Sequence, residues 1–300
     1  MHADTVDITL RNAASDAEGF AVLVANELIL LLACVDSVLL GLVMLAIIYV
    51  VVHYIIRLQI KGKFVLAFYL LAFLTTTCQI VQACAMIPHW NSTQRPKRHD
   101  TTPLNLLYGS ESLAKVFNIS LGLLIIATMF KIAVSMQLIL GELDQEARAR
   151  KKKNFYIFVS INSLLVCFQI GMVYLSTIAL EQWQCSIINA VIYSYILILY
   201  CVVMRFLMSK LKRVEAEGDQ LQEEKTKIKN QFWIFFLAYL TAASYAIFEA
   251  LFLEELPTAV FAGKYIVIVF ESILPISYVI KVHTSAYSKM AEQARLDKQR

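Results

Sequence analysis

Among the polar side chains inside the long apolar segments of this 300-residue chain, four are the residues best suited to chemistry. They are Asp36, Gln79, Glu249 and Glu271. A polar group inside a membrane-spanning segment is costly, and it usually faces protein or water rather than lipid. Counted from the end of each apolar run at 1.5 Å per residue, all four lie roughly 6–14 Å below the same surface.

Two interpretations of these four residues remain open. If the helices close a ring in chain order, the four come from neighbouring helices and line a polar pocket open to the outside. Such a pocket would bind a cationic or polar ligand, or a proton or cation. Alternatively, each residue makes a structural hydrogen bond between helices. The matched depth of Asp36 and Glu271 is the observation that favours the pocket.

The elements that carry these residues are seven apolar segments. Of all residues, 59% are hydrophobic and 17% charged, against about 25% charged in soluble domains. A helix needs about 20 apolar residues to cross a bilayer, and unbroken apolar runs predict helices because a helix satisfies its own backbone hydrogen bonds. A β-barrel would require alternating polarity. The sequence therefore predicts an all-α polytopic membrane protein, a seven-transmembrane helix bundle, with spans at Glu27–Ile56, Phe64–Ile87, Leu113–Leu140, Phe155–Leu180, Ile187–Met208, Phe232–Leu253 and Lys264–Val282.

Lysine and arginine predict the orientation of the bundle. The loops and tail on one side hold 19 basic residues and those on the other side hold 5. The basic side faces the cytoplasm, which puts the carboxyl end inside and, after seven crossings, the amino end outside. We therefore expect a short outer segment at 1–26, the transmembrane domain at 27–282 and a cytoplasmic tail helix at 283–300, which could lie along the membrane surface.

The charged segments suggest a location and partners. Residues 209–231 are rich in helix formers, and we expect them to extend the fifth and sixth helices with an interruption at Gly218. Expected partners are membrane lipids and either a cytoplasmic protein or neighbouring membrane subunits, and not nucleic acid. The first 20 residues hold four acidic residues and one arginine, unlike a mitochondrial transit peptide. A plasma or endomembrane location is therefore favoured over the mitochondrial inner membrane.

The motifs of soluble enzymes are missing from the sequence. It has no phosphate-binding glycine loop, no Gly-x-Ser-x-Gly elbow and no Cys-x-x-Cys pair. The five histidines form no cluster with metal-ligand spacing. We therefore expect no catalysis, no cofactor and no metal site.

Two features would act on the predicted outer side. Cys84, near the outer end of helix 2, could form a disulfide with Cys185 in the loop between helices 4 and 5. Both could equally remain free thiols. Asn91 begins an Asn-Ser-Thr glycosylation sequon, and its occupancy stays open because it lies close to the membrane.

The seven helices, the outside amino end and the possible loop disulfide resemble the architecture of G-protein-coupled receptors. In helix 7, Pro275 and Tyr278 belong to Leu-Pro-Ile-Ser-Tyr, which resembles the rhodopsin-class Asn-Pro-x-x-Tyr with Leu in place of Asn. A proline there is expected to kink the helix. The end of helix 3 lacks Asp-Arg-Tyr, and helix 6 lacks proline.

The layout also resembles the seven-helix proteins related to tobamovirus multiplication protein, a receptor-like group without established enzymatic chemistry. Together the resemblances imply a receptor-like protein that couples an outer polar pocket to its cytoplasmic face in signal transduction. The alternatives are a non-catalytic structural or assembly subunit of a larger membrane complex, and, less favoured, a transporter or channel.

Overall fold

A computed structural model describes residues 27–56, 62–90, 102–139, 145–178, 182–214, 220–253 and 255–299. Across these ranges the chain forms seven long helices, each apolar and long enough to cross a membrane. They are α1 (Glu27–Ile56), α2 (Lys63–Trp90), α3 (Thr102–Ile139), α4 (Gln145–Ile178), α5 (Gln182–Val214), α6 (Gln220–Phe252) and α7, which has three continuous segments, Pro257–Ile268, Val269–Ile273 and Leu274–Gln299. The all-α class is confirmed, and the seven helices fit an integral multi-pass membrane protein.

Contacts between helix ends establish how the bundle is arranged. We call the end at which α1 begins the upper end, and the opposite end the lower end. At the upper end, Glu111 near the start of α3 contacts Lys264 near the start of α7. At the lower end, Tyr69 near the start of α2 contacts His283 far along α7. Helices α3 and α7 therefore run in the same direction, and α2 runs opposite to both.

Two further contacts orient α1 and α4. Tyr54 near the end of α1 contacts Ser288 near the end of α7, so α1 runs with α7. The rings of Phe130, late in α3, and Phe155, early in α4, stack, so α4 begins at the lower end and runs opposite to α3.

Helix α3 is the centre of the bundle. It packs against α2, α4 and α5, and 61% of its most apolar window is buried, against 17% for α4. Helix α1 is also peripheral, with 28% of its window buried. The sequence analysis considered helices that close a ring in chain order. The structure instead has α3 in the middle of the bundle, with other helices around it.

Gly122 of α3 makes room for the side chain of Tyr239 on α6. A Cβ at this position would lie 1.8 Å from the Tyr239 hydroxyl oxygen. The Tyr239 ring is buried beside it, and its hydroxyl donates a hydrogen bond to the Asn118 carbonyl oxygen at 3.4 Å. Only glycine leaves the room that this ring occupies.

The seventh helix differs from its predicted boundaries at both ends. It begins at Pro257, a residue that favours the first helical turn, so Lys264 lies two turns inside the helix rather than at its start. At the other end it continues to Gln299 without a break. The predicted tail helix at 283–300 is thus an extension of α7 and not a separate helix that turns onto the membrane surface.

Pro275 follows a π-helical segment of α7, in which the helix is wider than an α-helix. Proline has no N–H to bond the carbonyl four residues back, and its ring crowds that carbonyl. Directly before it, Val269–Ile273 is π-helical, and the Leu274 N–H bonds the Val269 carbonyl five residues back. A second π-helical segment, Val51–Ile56, forms the last turns of α1. The helix stays continuous through Pro275.

The predicted extension of α5 and α6 beyond their spans is confirmed. Helix α5 continues to Val214 and α6 begins at Gln220. Gly218 and Asn91 lie outside the described residues. Tyr278 lies on α7 facing α6, where its hydroxyl donates to the Lys227 carbonyl oxygen at 2.9 Å.

Candidate functional site

A polar cavity lies near the upper end, between five of the seven helices. It is small, about 40 Å³, enough for one or a few water molecules or a small ion. Helices α2, α3, α5, α6 and α7 all contribute to its wall. Its polar lining consists of Gln79, Gln82, Glu111, Lys115, Asn189, Tyr193, Tyr245, Glu249, Lys264 and Glu271.

Helix periodicity explains why these side chains meet. Glu111 and Lys115 are four residues apart on α3 and so share one face. Lys264 and Glu271 are seven residues apart on α7, about two turns. On α6, Ala242 and Ala246 line the cavity one turn apart, and their small side chains leave it open.

The carboxylate of Glu111 is shared by two lysines. Its Oε1 lies 2.9 Å from the Lys115 ammonium on the same helix, and its Oε2 contacts the Lys264 ammonium of α7. The side chains of Glu111 and Lys264 are each 8% exposed, and that of Lys115 is 24% exposed. A carboxylate bridging two cations joins α3 to α7 in a part of the protein where unpaired charge is costly.

The other two carboxylates each accept a hydrogen bond from a hydroxyl of α5. The Ser186 hydroxyl donates to Glu249 Oε2 at 2.8 Å, and the Tyr193 hydroxyl donates to Glu271 Oε1. Lys115 also lies within electrostatic range of both carboxylates. With all five groups ionised, the cavity wall carries three negative and two positive charges. In that fully ionised state its net charge of −1 would favour a cation.

Gln79 lines the cavity, and only the nitrogen of its side-chain amide makes a hydrogen bond to a described residue. Its Nε2 donates to the Ser272 hydroxyl at 2.6 Å, joining α2 to α7. Within the described parts of the chain, its Oε1 has no hydrogen-bond partner although the residue is 4% exposed. An unpartnered buried carbonyl oxygen at the cavity wall is an acceptor for a donor or a cation.

Asp36 does not line the cavity, unlike the other three residues predicted for the pocket. It is buried on α1, within electrostatic range of the Tyr265 hydroxyl. Both Asp36 Oδ2 and the Tyr265 hydroxyl lack a hydrogen-bond partner among the residues described. The cavity wall includes Gln79, whose bond to Ser272 joins α2 directly to α7, and it includes no described residue of α1.

Glu111, Lys115 and Lys264 complete the site and were missed in the sequence. All three stand at the edges of apolar runs, where charge is ordinary. The four-residue spacing of Glu111 and Lys115 and the proline at 257 were the available signals.

No protein-family model matches this chain. A search of curated proteins likewise gives no significant match. The residues of the site therefore carry the functional argument.

The remaining predicted features fall elsewhere in the fold. No disulfide joins Cys84 to Cys185 in this structure, and the candidate bridge between them stays a prediction. Cys84 is exposed on α2, and α3 packs against both α2 and α5. In the described ranges, no three His, Cys, Asp or Glu side chains are placed to hold a metal ion.

A second polar cluster lies at the lower end, where α1, α2 and α7 meet. The Tyr69 hydroxyl and His283 Nδ1 are 3.0 Å apart, and the hydroxyls of Tyr54 and Ser288 are 3.1 Å apart. The Tyr287 ring packs against both Tyr54 and His283. Helix α7 therefore bonds different neighbours at its two ends, with the π-helical segment between them.

Proposed function

We propose that this chain is a receptor-like membrane protein without catalytic activity, in which the upper cavity binds a small cation. The observation that carries the proposal is the convergence of three carboxylates and two ammonium groups from α3, α6 and α7 on one cavity. A ligand with one positive charge would balance the net charge of −1. The unpartnered oxygen of Gln79 offers it a neutral ligand.

Helix α7 is the proposed link from the cavity to the lower end. Glu271 and Ser272, which bond α5 and α2, both belong to its π-helical segment. Such segments often occur at functional sites. Further along α7, Tyr278 bonds α6 and His283 bonds α2. A cation that alters the bonds of Glu271 would act on a helix that contacts α2 and α6 at the lower end, which we propose faces the cytoplasm.

A thermal-unfolding experiment tests the cavity. The purified protein in nanodiscs is titrated with sodium, methylammonium and tetramethylammonium chlorides at constant ionic strength. A cation that binds only the folded protein raises Tm with concentration. We expect a rise for at least one of the two smaller ions, none for tetramethylammonium, and loss of the rise in Glu271→Gln.

Two control variants sharpen this test. Glu146→Gln removes an exposed carboxylate of α4 whose side chain is 85% exposed, and it should keep the rise in Tm. Asp36→Asn should keep it too, because Asp36 does not line the cavity. If no cation raises Tm of the unaltered protein, or if Glu271→Gln responds like Glu146→Gln, the cation site is wrong.

Coupling along α7 needs a separate measurement. Hydrogen exchange of the α7 amides between Ser277 and Ser288 should change when the stabilising cation is added. Glu271→Gln should abolish that change. A rise in Tm without any change in exchange at the lower end would keep the cation site and reject the receptor-like coupling.

A transporter is the second candidate, and the π-helical segment of α7 favours it. Irregular helical segments often occur at functional sites, and this one contributes Glu271 to the wall of a charged cavity. Flux of the stabilising cation into proteoliposomes separates the two: accumulation dependent on Glu271 indicates transport, and its absence favours the receptor.

A further inference from the structure

Helix α4 exposes a groove on the side that faces away from the bundle. The groove lies between two rows of side chains, each spaced four residues apart, as on any helix surface. One row includes Lys153, Ile157 and Ile161, and the other includes Lys152, Tyr156, Ser160 and Leu164. All seven of these residues are exposed. Among the described helices none covers the groove, because α4 packs mainly against α3.

The two ends of the groove differ in chemistry. Lys152 and Lys153 stand at the lower end, and no ion pair or hydrogen bond involves either in the described structure. Their neighbours are engaged: the Lys151 ammonium lies 5.6 Å from the centre of the Phe206 ring, and Arg150 pairs with Glu146 at 3.3 Å. The other end is purely aliphatic, formed by Ile157, Ile161 and Leu164.

The dimensions fit one leaflet of a bilayer. Lys152 and Leu164 are twelve residues apart, or about 18 Å along the helix. Half of a hydrocarbon core measures about 15 Å. Tyr156 lies one turn from Lys152, and tyrosine is enriched where headgroups meet hydrocarbon. The lysines therefore lie at headgroup level, and the aliphatic part of the groove lies beside the acyl chains.

We propose that this groove is a binding site for one anionic glycerophospholipid. Lys152 and Lys153 hold its phosphate and acidic headgroup, the Tyr156 hydroxyl lies beside its glycerol esters, and one acyl chain lies along Ile157, Ile161 and Leu164, passing Ser160. Charge complementarity selects the occupant, because two unpaired lysines attract an anionic headgroup over a zwitterionic one. The site is independent of the upper cavity and of the proposed receptor role.

Native mass spectrometry tests the proposal directly. The protein is released from nanodiscs containing equal amounts of phosphatidylserine and phosphatidylcholine with identical acyl chains. We expect one retained phosphatidylserine per chain. Because one lysine near an anionic surface contributes about fivefold, Lys152→Gln with Lys153→Gln should lower the preference for phosphatidylserine roughly 10- to 30-fold. Lys63→Gln with Lys281→Gln, which removes two exposed lysines elsewhere at the lower end, should leave it unchanged.

A blocking variant distinguishes a built groove from general attraction to basic residues. Ser160→Trp fills the middle of the groove and keeps both lysines, and Ser160 is exposed, so the bundle should still fold with an unaltered Tm. We expect it to lower retained phosphatidylserine at least tenfold, whereas Ser163→Trp, outside the groove on the same helix, should not.

Three outcomes would overturn the proposal. Unchanged retention in Ser160→Trp would mean that only surface charge attracts the lipid. Equal loss in the Lys63 and Lys281 double variant would mean the same. A dimer without bound lipid that Ser160→Trp converts to a monomer would mean that a second copy of this chain covers the groove.

Discussion

At the scale of single residues, Glu111 holds the charged site together. Its two carboxylate oxygens contact two different lysines, one from its own helix and one from α7. A buried ion pair contributes little net stability over an apolar replacement, but removal of one partner leaves a buried charge uncompensated. The three residues therefore differ in how much their loss should cost. Loss of Glu111 removes the shared carboxylate from two ammonium groups, whereas loss of Lys264 leaves Glu111 paired with Lys115.

This inequality predicts an order of stability. Glu111→Gln should lower the free energy of unfolding by about 3–5 kcal/mol, and Lys264→Met should cost less than half as much. The variant carrying both changes should be more stable than Glu111→Gln alone, because one stranded ammonium is then gone. Thermal unfolding in nanodiscs, followed by tryptophan fluorescence, measures all three.

The exposed pair of Glu146 and Arg150 is the matched comparison for this order. Both are on α4, four residues apart, as Glu111 and Lys115 are on α3. Glu146→Gln should change stability by less than about 1 kcal/mol, since exposed pairs contribute little. An equal loss of stability in Lys264→Met and Glu111→Gln would contradict the shared carboxylate.

At the scale of helices, some of the fold and site follows from the sequence and some does not. Long apolar runs predict seven helices because a spanning segment must satisfy its backbone hydrogen bonds internally, and a helix does so. Gln79, Glu249 and Glu271, which line the cavity, stand out in the sequence because polar residues are rare inside such runs. The depth of a polar residue along its helix can therefore be predicted from the sequence, and these three residues lie at similar depths.

Rotation about the helix axis is what the sequence does not reveal. Helix α1 is apolar on all sides, so nothing in its pattern shows which face Asp36 presents to the bundle. The ends of α3 and α7 were also misplaced, because charged residues at the edge of an apolar run look like loop. Glu111 and Lys264 became visible as a pair only when both helices were extended by several residues.

The contact between Gly122 of α3 and the Tyr239 ring of α6 gives the prediction at this scale. Gly122→Ala would place a methyl group 1.8 Å from the Tyr239 hydroxyl oxygen and 2.5 Å from Cζ of its ring. The ring is 3% exposed, so it has no free space to enter. Overpacking of this kind costs about 1–3 kcal/mol, measured as a fall in thermal stability.

Gly171 is the natural control for Gly122. It also lies within a helix, but a Cβ there meets no atom within 4 Å. Gly171→Ala should leave stability unchanged or raise it by up to about 1 kcal/mol, since alanine favours helix more than glycine does. Adding Tyr239→Leu to Gly122→Ala should recover part of the loss. A Gly122→Ala protein as stable as Gly171→Ala would contradict this packing.

At the scale of the whole molecule, the two proposed sites lie at opposite ends. The charged cavity is near the upper end, between α2, α3, α5, α6 and α7. The lysines of the α4 groove are at the lower end, on the outer surface. This separation fits a protein with a ligand site on one side and a lipid contact in the opposite leaflet, provided that the lower end faces the cytoplasm.

The orientation itself is the last prediction. The loops of the lower end hold 19 basic residues and those of the upper end hold 5, so the lower end should be cytoplasmic. Single cysteines replace Lys152 and Asn91 in a protein whose six native cysteines are changed to serine, since several of them are exposed. In sealed cells, a membrane-impermeant thiol reagent should label Asn91→Cys and spare Lys152→Cys, and permeabilised cells should show both labelled. Labelling of both in sealed cells would contradict the single membrane crossing by α3 between residues 91 and 152 and so the seven-span topology. Labelling of Lys152→Cys alone would reverse the orientation and place the cavity toward the cytoplasm.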